Sequence, residues 1–405
     1  MIRRIGLAVC CASVLLLASS DSASSQSASP DGLKETLSQI LSHWGSPGAS
    51  VSVVIGGRVV FLEGFGSTMA QGGVPVTPQT LAPVQSVSKA FTAVALSMLV
   101  QDGLIEWDAP VVTYIPEFEF GVSYLTGHVT VRDLMLHRAG TPFILGGWAP
   151  SSYSMTDLLR ELGTSDPTIQ LREGVYYSQV GMALLGEIIW RTSGQTWSEF
   201  VRDRILAPLE MSGSYTDDHH LTEVLGTPDS VTGLMKTVGW SDGALEDRPW
   251  EEYNALWWPG GALISNAEEM TRFMMLLLGH GSIDGESLLS EALVDELFKP
   301  AEIPGLDVIS TLEPIVAPRA EIVAYAPGWM AHEEFGRLIL EAPGAGRSSA
   351  IVALMPEEDL GVFIVTNASF DLESARLVSA LKLASFEHYL GLPPTDWISV
   401  LDSGN

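Results

Sequence analysis

Strand pairs at opposite ends of the chain constrain its fold more than any other sequence feature. Near the start, Ala49-Ser50-Val51-Ser52-Val53-Val54-Ile55 alternates as a strand does, Gly56-Gly57 turns it, and Arg58 to Gly66 returns as its hairpin partner. Near the end, Ala350 to Met355 is a strand, Pro356 to Gly361 a turn, and Val362 to Thr366 the partner. Between them the pattern is helical and rich in loops. Leu33 to Trp44, Ser86 to Val100, Met155 to Leu162, Gly181 to Arg191, Trp197 to Leu206 and Ala267 to Leu278 carry helical periodicity, and Thr130 starts a further helix. A last helix runs from Asp371 to about Leu390. Thr216 to Trp258, with His219, His220 and several tryptophans, reads as a long loop region near the site. Strands at both ends with a helical insertion between them make the chain α+β.

The first residues stand apart from that pattern. Met1-Ile2-Arg3-Arg4, then apolar Ile5 to Ala18, then small residues, has the form of a secretory signal with cleavage expected between Ala18 and Ser29. Residues 1–25 are therefore read as signal and disordered leader, 26–405 as the folded domain, and the expected location is periplasmic or secreted. Cys10 and Cys11 are the only cysteines and both lie in the apolar run, so the exported protein would hold no thiol, disulfide or Cys-ligated metal. A hydrophobic content of 46% suffices to core a domain of this size without disulfides. No later segment is long and apolar enough to span a bilayer, so no membrane insertion of the mature protein is expected. The formal charge of −28 argues against nucleic acid as a partner, because phosphate contacts need clustered Lys and Arg.

The chemistry gathers where the helix of Ser86 begins. Ser86 and Lys89 are three apart and share a helix face, so the amine can sit beside the hydroxyl. A serine alcohol needs a base to become a nucleophile, and a lysine is one only when burial lowers its pKa. Val87, Ala90, Phe91, Ala93 and Val94 supply that burial. The free N–H groups of a helix start can also hold an oxyanion. Taken alone, Ser-x-x-Lys also fits a serine that caps a helix above a solvated lysine. Tyr177, on a turn before the helix at Gly181, is a second candidate. Beside a buried ammonium it could be held as phenolate, take the Ser86 proton and pass it to a leaving group. His219 and His220 are adjacent and face apart, and no other ligand stands at a metal-binding spacing. His137 and His332 read as hydrogen-bonded structural residues. With no Gly-x-Ser-x-Gly elbow and no phosphate loop, hydrolases of that other fold and nucleotide enzymes recede; the expected chemistry uses neither metal nor cofactor.

Several segments, in order, resemble the serine β-lactamase and D-Ala-D-Ala carboxypeptidase superfamily in its class C-like branch. Thr80-Leu81-Ala82-Pro83-Val84-Gln85-Ser86-Val87-Ser88-Lys89 is similar to its nucleophile segment. Gln101 to Pro110 and Tyr114-Ile115-Pro116-Glu117 resemble the family's next two segments, and Val129 to Gly140 resembles its T-x-R-x-L-L-x-H-x-x-G segment. Tyr177-Ser178-Gln179 falls where Tyr-Ser-Asn is usual. Pro259 to Ser265 resembles the family's Gly-Gly turn, and Gly391 to Trp397 a C-terminal signature. The resemblance implies a β-lactamase/DD-peptidase-like fold: an antiparallel sheet built from both chain ends and flanked by helices. It implies an α/β lobe from 26–85 and 320–405, with a mostly helical lobe within 86–319. It also implies an acyl-enzyme on Ser86, Lys89 and Tyr177 as acid–base pair, and an oxyanion hole from the Ser86 N–H and an edge strand.

Two departures bear on the substrate. Gln179 replaces Asn but keeps the amide. The edge strand, Leu338 to Ser349, lacks the family's Lys or His; aligning Glu341 with that cation puts Gly344 at the oxyanion position, whereas a shift by one would put Pro343 there, which has no N–H. Penicillins and D-Ala-D-Ala peptides present a carboxylate to the missing cation, and Glu341 would repel it unless Arg347 compensates. Glu341 could instead pair an amine or orient Tyr177. The expectation is thus a serine hydrolase cleaving an amide in a short peptide or peptide-like substrate. A carboxylesterase on short acyl esters is the alternative, with a β-lactamase or a non-catalytic penicillin-binding-like protein after it. The sequence leaves the oligomeric state open.

Overall fold

A computed structural model describes residues 30–148, 152–241, 244–301, 323–369 and 371–402. The expected signal and leader lie outside the described residues. The fold is α+β, centred on a seven-stranded antiparallel sheet. Its strands are β1 (Gly48–Ile55), β2 (Arg58–Gly66), β3 (Val323–Ala326), β4 (Trp329–Glu334), β5 (Arg337–Ala345), β6 (Ser349–Met355) and β7 (Leu360–Thr366). They lie in the order β2-β1-β7-β6-β5-β4-β3. The two ends of the chain meet at β1 and β7, paired from Ala49 opposite Thr366 to Ile55 opposite Leu360.

Helices cover both faces of this sheet. On one lie α1 (Pro30–His43) and α5 (Leu372–Leu390), whose Leu33, Leu37, Leu377 and Leu381 pack against Val51, Val53, Ile351 and Ile364. On the other, α4 (Ala267–Leu278) joins a core that runs through α2 (Ser88–Gln101) and α3 (Gln179–Ser193). Coverage of both faces explains why every residue of β6 and β7 is buried. It also changes the meaning of the alternation in β1. Ser50 and Ser52 are fully buried, so the alternating positions are small residues beneath helices rather than a solvated face.

The helix α2 is apolar all round and forms the centre of the inserted part: Ser88 to Leu99 are all buried. Phe91 stacks on Phe273 of α4 at 3.8 Å. Thr216 to Trp258 is more ordered than a loop. It holds a helix at Asp218–Leu225, capped by the Asp217 carboxylate, which accepts from the His220 N–H at 2.7 Å. Further on, Val238–Ser241 and Ala244–Asp247 form a hairpin. No helix among the described residues is long and apolar enough to cross a membrane.

Candidate active site

From Leu81 to Leu99 every residue is buried except Ser86, which opens onto a cavity of about 310 Å³. Ser86 is the middle residue of a 3-10 turn, Gln85–Val87, that leads into α2. Gln85 takes φ +52°, a left-handed conformation that costs a non-glycine residue energy. Three contacts hold it there. The Ser88 hydroxyl donates to the Gln85 carbonyl at 2.7 Å, the Tyr253 hydroxyl donates to Gln85 Oε1 at 3.1 Å, and Gly344 presses on the preceding residue. A Cβ at Gly344 would sit 2.3 Å from the Val84 carbonyl oxygen, so only glycine lets β5 approach the turn this closely.

Lys89 points from the first turn of α2 back toward the serine. Its Nζ lies 3.1 Å from Ser86 Oγ, 2.6 Å from the Gly260 carbonyl and 3.4 Å from Gln179 Oε1. Burial pushes its pKa well below the ordinary lysine range. The Gly260 carbonyl is itself fixed from behind: the Trp197 indole donates to Thr92 Oγ1, which donates to the Pro259 carbonyl. A Cβ at Gly260 would lie 1.9 Å from Gln179 Oε1, so any other residue there has to displace the Gln179 amide.

Tyr177 sits across the cavity, its ring 4.7 Å from Lys89 Nζ and its hydroxyl near Ser86. The backbone around it is tied down on each side. The Tyr176 N–H donates to the His137 carbonyl, the Ser178 N–H to His137 Nδ1, and the Gln179 N–H to the Phe143 carbonyl. Acceptance at Nδ1 puts the proton of neutral His137 on Nε2; burial, then the nearby Lys89, hold its pKa well below the usual range. A phenolate at Tyr177 does not fit this setting. Burial raises the Tyr177 pKa, and the hydrogen bond to Ser86 offsets it only in part. The ammonium expected to stabilise a phenolate is itself disfavoured by the same burial. Burial thus works against both charged forms, the Lys89 ammonium and the Tyr177 phenolate, at the two groups beside the Ser86 hydroxyl.

The other expected residues divide. Gln179 reaches Lys89, and Gly344 lines the cavity beside Ser86. Glu341 stands in the cavity wall, buried and paired rather than solvated. Lys382 of α5 donates to its Oε2 at 2.5 Å, His332 Nε2 lies 3.3 Å away, and all three side chains are fully buried. Burial pushes the Glu341 carboxyl up, but the charges of Lys382 and His332 outweigh it and leave the pKa below the usual carboxylate range. Arg347 does not compensate Glu341 and does not line the cavity. Its guanidinium is clamped between Trp250 and Tyr253, donates to the Glu251 carbonyl at 2.7 Å and meets Asp218 at 3.4 Å. Its role is to hold Tyr253 over Gln85. Sequence reasoning misses the Gly260 carbonyl, the Tyr253 hydroxyl and Lys382; only the Gly-Gly turn signals any of them. Among the described residues no group of three His, Cys, Asp or Glu stands together as a metal site.

A catalytic-type serine at a helix start, a buried lysine beside it and a sheet made from both chain ends define the serine-reactive class of hydrolases with this fold. The family model for Beta-lactamase matches residues 33–384, and the chain belongs to that family of serine hydrolases. It is similar to the unguisins hydrolase ungD' of Aspergillus campestris, 26% identical over 380 residues, covering 90% of this chain and 66% of that protein. It is also similar to Protein flp of Staphylococcus aureus, 22% identical over 326 residues, covering 79% and 59%. The chain thus spans about two thirds or less of the length of these curated relatives. Among solved structures, the octameric penicillin-binding protein homologue from Pyrococcus abyssi superposes with a TM-score of 0.72 at 22% identity, over 90% of this chain and 78% of that one. A β-lactamase from Sulfitobacter sp. EE-36 gives 0.68 at 20%, over 88% and 97%. These two likenesses establish the fold.

Proposed function

We propose that the protein cleaves an amide bond in a short peptide or peptide-like substrate through an acyl-enzyme on Ser86. Neutral Lys89 takes the Ser86 proton as Oγ attacks the carbonyl carbon. The backbone N–H groups of Ser86 and Gly344 face the developing oxyanion. As the C–N bond breaks, the Tyr177 phenol gives its proton to the leaving nitrogen and regains one from Lys89. Water then attacks the acyl ester by the same relay in reverse, releasing the acid and freeing Ser86. The observation that carries this reading is the 3.1 Å approach of Lys89 Nζ to Ser86 Oγ in a buried setting that lowers the pKa of the amine. The name of the Aspergillus relative, a hydrolase of unguisins, agrees with hydrolytic chemistry. Short acyl esters would pass through the same steps, and the mostly apolar wall of the cavity suits them too. The N-terminal signal pattern supports export to the periplasm or beyond.

The test is mass spectrometry after incubation with a panel of short peptides, p-nitrophenyl esters and a penicillin, with Ser86→Ala as control. Peptide fragments that vanish in the control are the expected result. Ester products alone would make the protein a carboxylesterase, and a stable adduct without products would make it a binding protein.

A further inference from the structure

The cavity around Ser86 offers a substrate no free charge. Lys89 and Glu341 are the charged side chains in its wall among the described residues, and both are committed. Lys89 is 1% exposed and faces Ser86, Gln179 and Gly260; Glu341 is fully buried against Lys382. What remains uncommitted is negative: Glu341 Oε1 has no hydrogen-bond partner among the described residues. The nearby cation, Arg347, is not part of the wall, and its Nη1 is held by Asp218 and the Glu251 carbonyl. A carboxylate brought into this space would lose its hydration and meet no counter-charge.

The rest of the wall is apolar and aromatic. Ala375 and Val378 of α5 face Pro343, Ala345 and Ile351 of the sheet across the same cavity. At the mouth stand Phe143 and Trp148, their rings 5.7 Å apart, with 37% and 38% of their surfaces open to solvent. Trp148 is braced from behind by Tyr253 and Trp257. Two large aromatics left open beside a reactive serine, on a backed and therefore rigid surface, form a stacking platform.

We infer that the site takes an uncharged amide bearing a large apolar or aromatic side chain, with no carboxylate on the residue after the scissile bond. Its substrates are the interior of a peptide chain or a capped peptide, not a free C-terminus. The inference rests on the acyl-transfer reading above and narrows its substrate class.

The experiment uses N-acetyl-phenylalanyl-alanine amide and the matching free acid, titrated by calorimetry into Ser86→Ala protein. The amide is expected to bind at least about tenfold more tightly than the acid, the weight of one misplaced charge. Trp148→Ala should cost the amide about fivefold or more, the worth of an aromatic contact. Glu341→Gln should close the gap or favour the acid, because it takes a negative charge out of the wall and leaves the Lys382 ammonium in place. Equal or tighter binding of the acid to the Ser86→Ala protein, or no binding of either, would overturn the inference, and that comparison does not depend on the Glu341 variant folding. Fluorophosphonate labelling of Ser86 in the wild-type protein reports separately on the hydrolase reading, so the two failures are distinguishable.

Discussion

Gly260→Ala is the sharpest probe of how the site is held. The added Cβ would lie 1.9 Å from Gln179 Oε1 and 3.3 Å from Lys89 Nζ. A carbon and an oxygen that do not share a hydrogen bond need more than about 3 Å, so Gln179 has to retreat by about 1 Å or the turn has to move by as much. Movement of the turn would carry the Gly260 carbonyl away from Lys89, to which it is now 2.6 Å, and retreat of Gln179 would take its Oε1 away from the 3.4 Å approach to the same amine. A displacement of about 1 Å at a reacting group typically costs about 100-fold in rate. Overpacking should cost stability about 1 to 3 kcal/mol. The assay is the rate at which a fluorophosphonate labels Ser86, read by intact-protein mass spectrometry, beside a thermal melt. A labelling rate within about threefold of wild type and an unchanged melt would refute the claim that Gly260 and Gln179 fix the lysine.

Other expectations come from the same geometry. The rate of Ser86 labelling should climb with pH through the lowered pKa of Lys89 and level off below the ordinary lysine value of about 10.4; Lys89→Met should remove that rise and cost about 100-fold or more. Tyr253→Phe deletes the hydrogen bond to Gln85 Oε1 that steadies a left-handed residue, so labelling should slow about 3- to 10-fold with little change in the melt. Asp133 is fully buried and accepts from Arg138 at 2.6 Å and Arg172 at 2.8 Å. Burial raises its pKa, but the hydrogen bonds of Arg172 and Thr130 and the charge of Arg138 outweigh it and leave the pKa lowered. Its contribution to stability is therefore present above the unfolded value of about 3.9 and lost as pH falls through the lower folded value. Asp133→Ala should cost about 2 to 3 kcal/mol at neutral pH by denaturant titration, less than a fully buried pair because both arginines reach solvent.

The parts of this fold that are legible in the sequence are those whose signals are local. The hairpin at Gly56-Gly57, the strands Ala350 to Met355 and Val362 to Thr366, and the amphipathic helix Ala267–Leu278 all stand where periodicity and turn residues place them. The Ser86–Lys89 contact is legible because three residues of helix decide it. What cannot be read depends on distance in sequence. Glu341 looks like a charge facing substrate because its partner, Lys382, lies 41 residues on in a different element. Arg347 looks free because the ring that clamps it, Trp250, belongs to a segment whose helix and hairpin carry weak signals. The burial that raises the Tyr177 pKa is not legible either, because the residues that surround the ring come from distant segments. The left-handed Gln85 has no sequence signal, since glutamine is not a residue that prefers that conformation.

The meeting of β1 with β7 also sets an order of events during synthesis. β1 and β2 are synthesised early, roughly 300 residues before the strand that covers the other edge of β1 exists. During that interval an apolar strand edge is open to any other extended chain. The wait ends only when Leu360 to Thr366 arrives and α5 closes over it, so the last tenth of the chain acts as the latch for the first. A chain that stops after Met355 would carry Ser86, Lys89, Tyr177 and Gly344 intact and still lack the strand that joins β2 and β1 to the other four strands of the sheet.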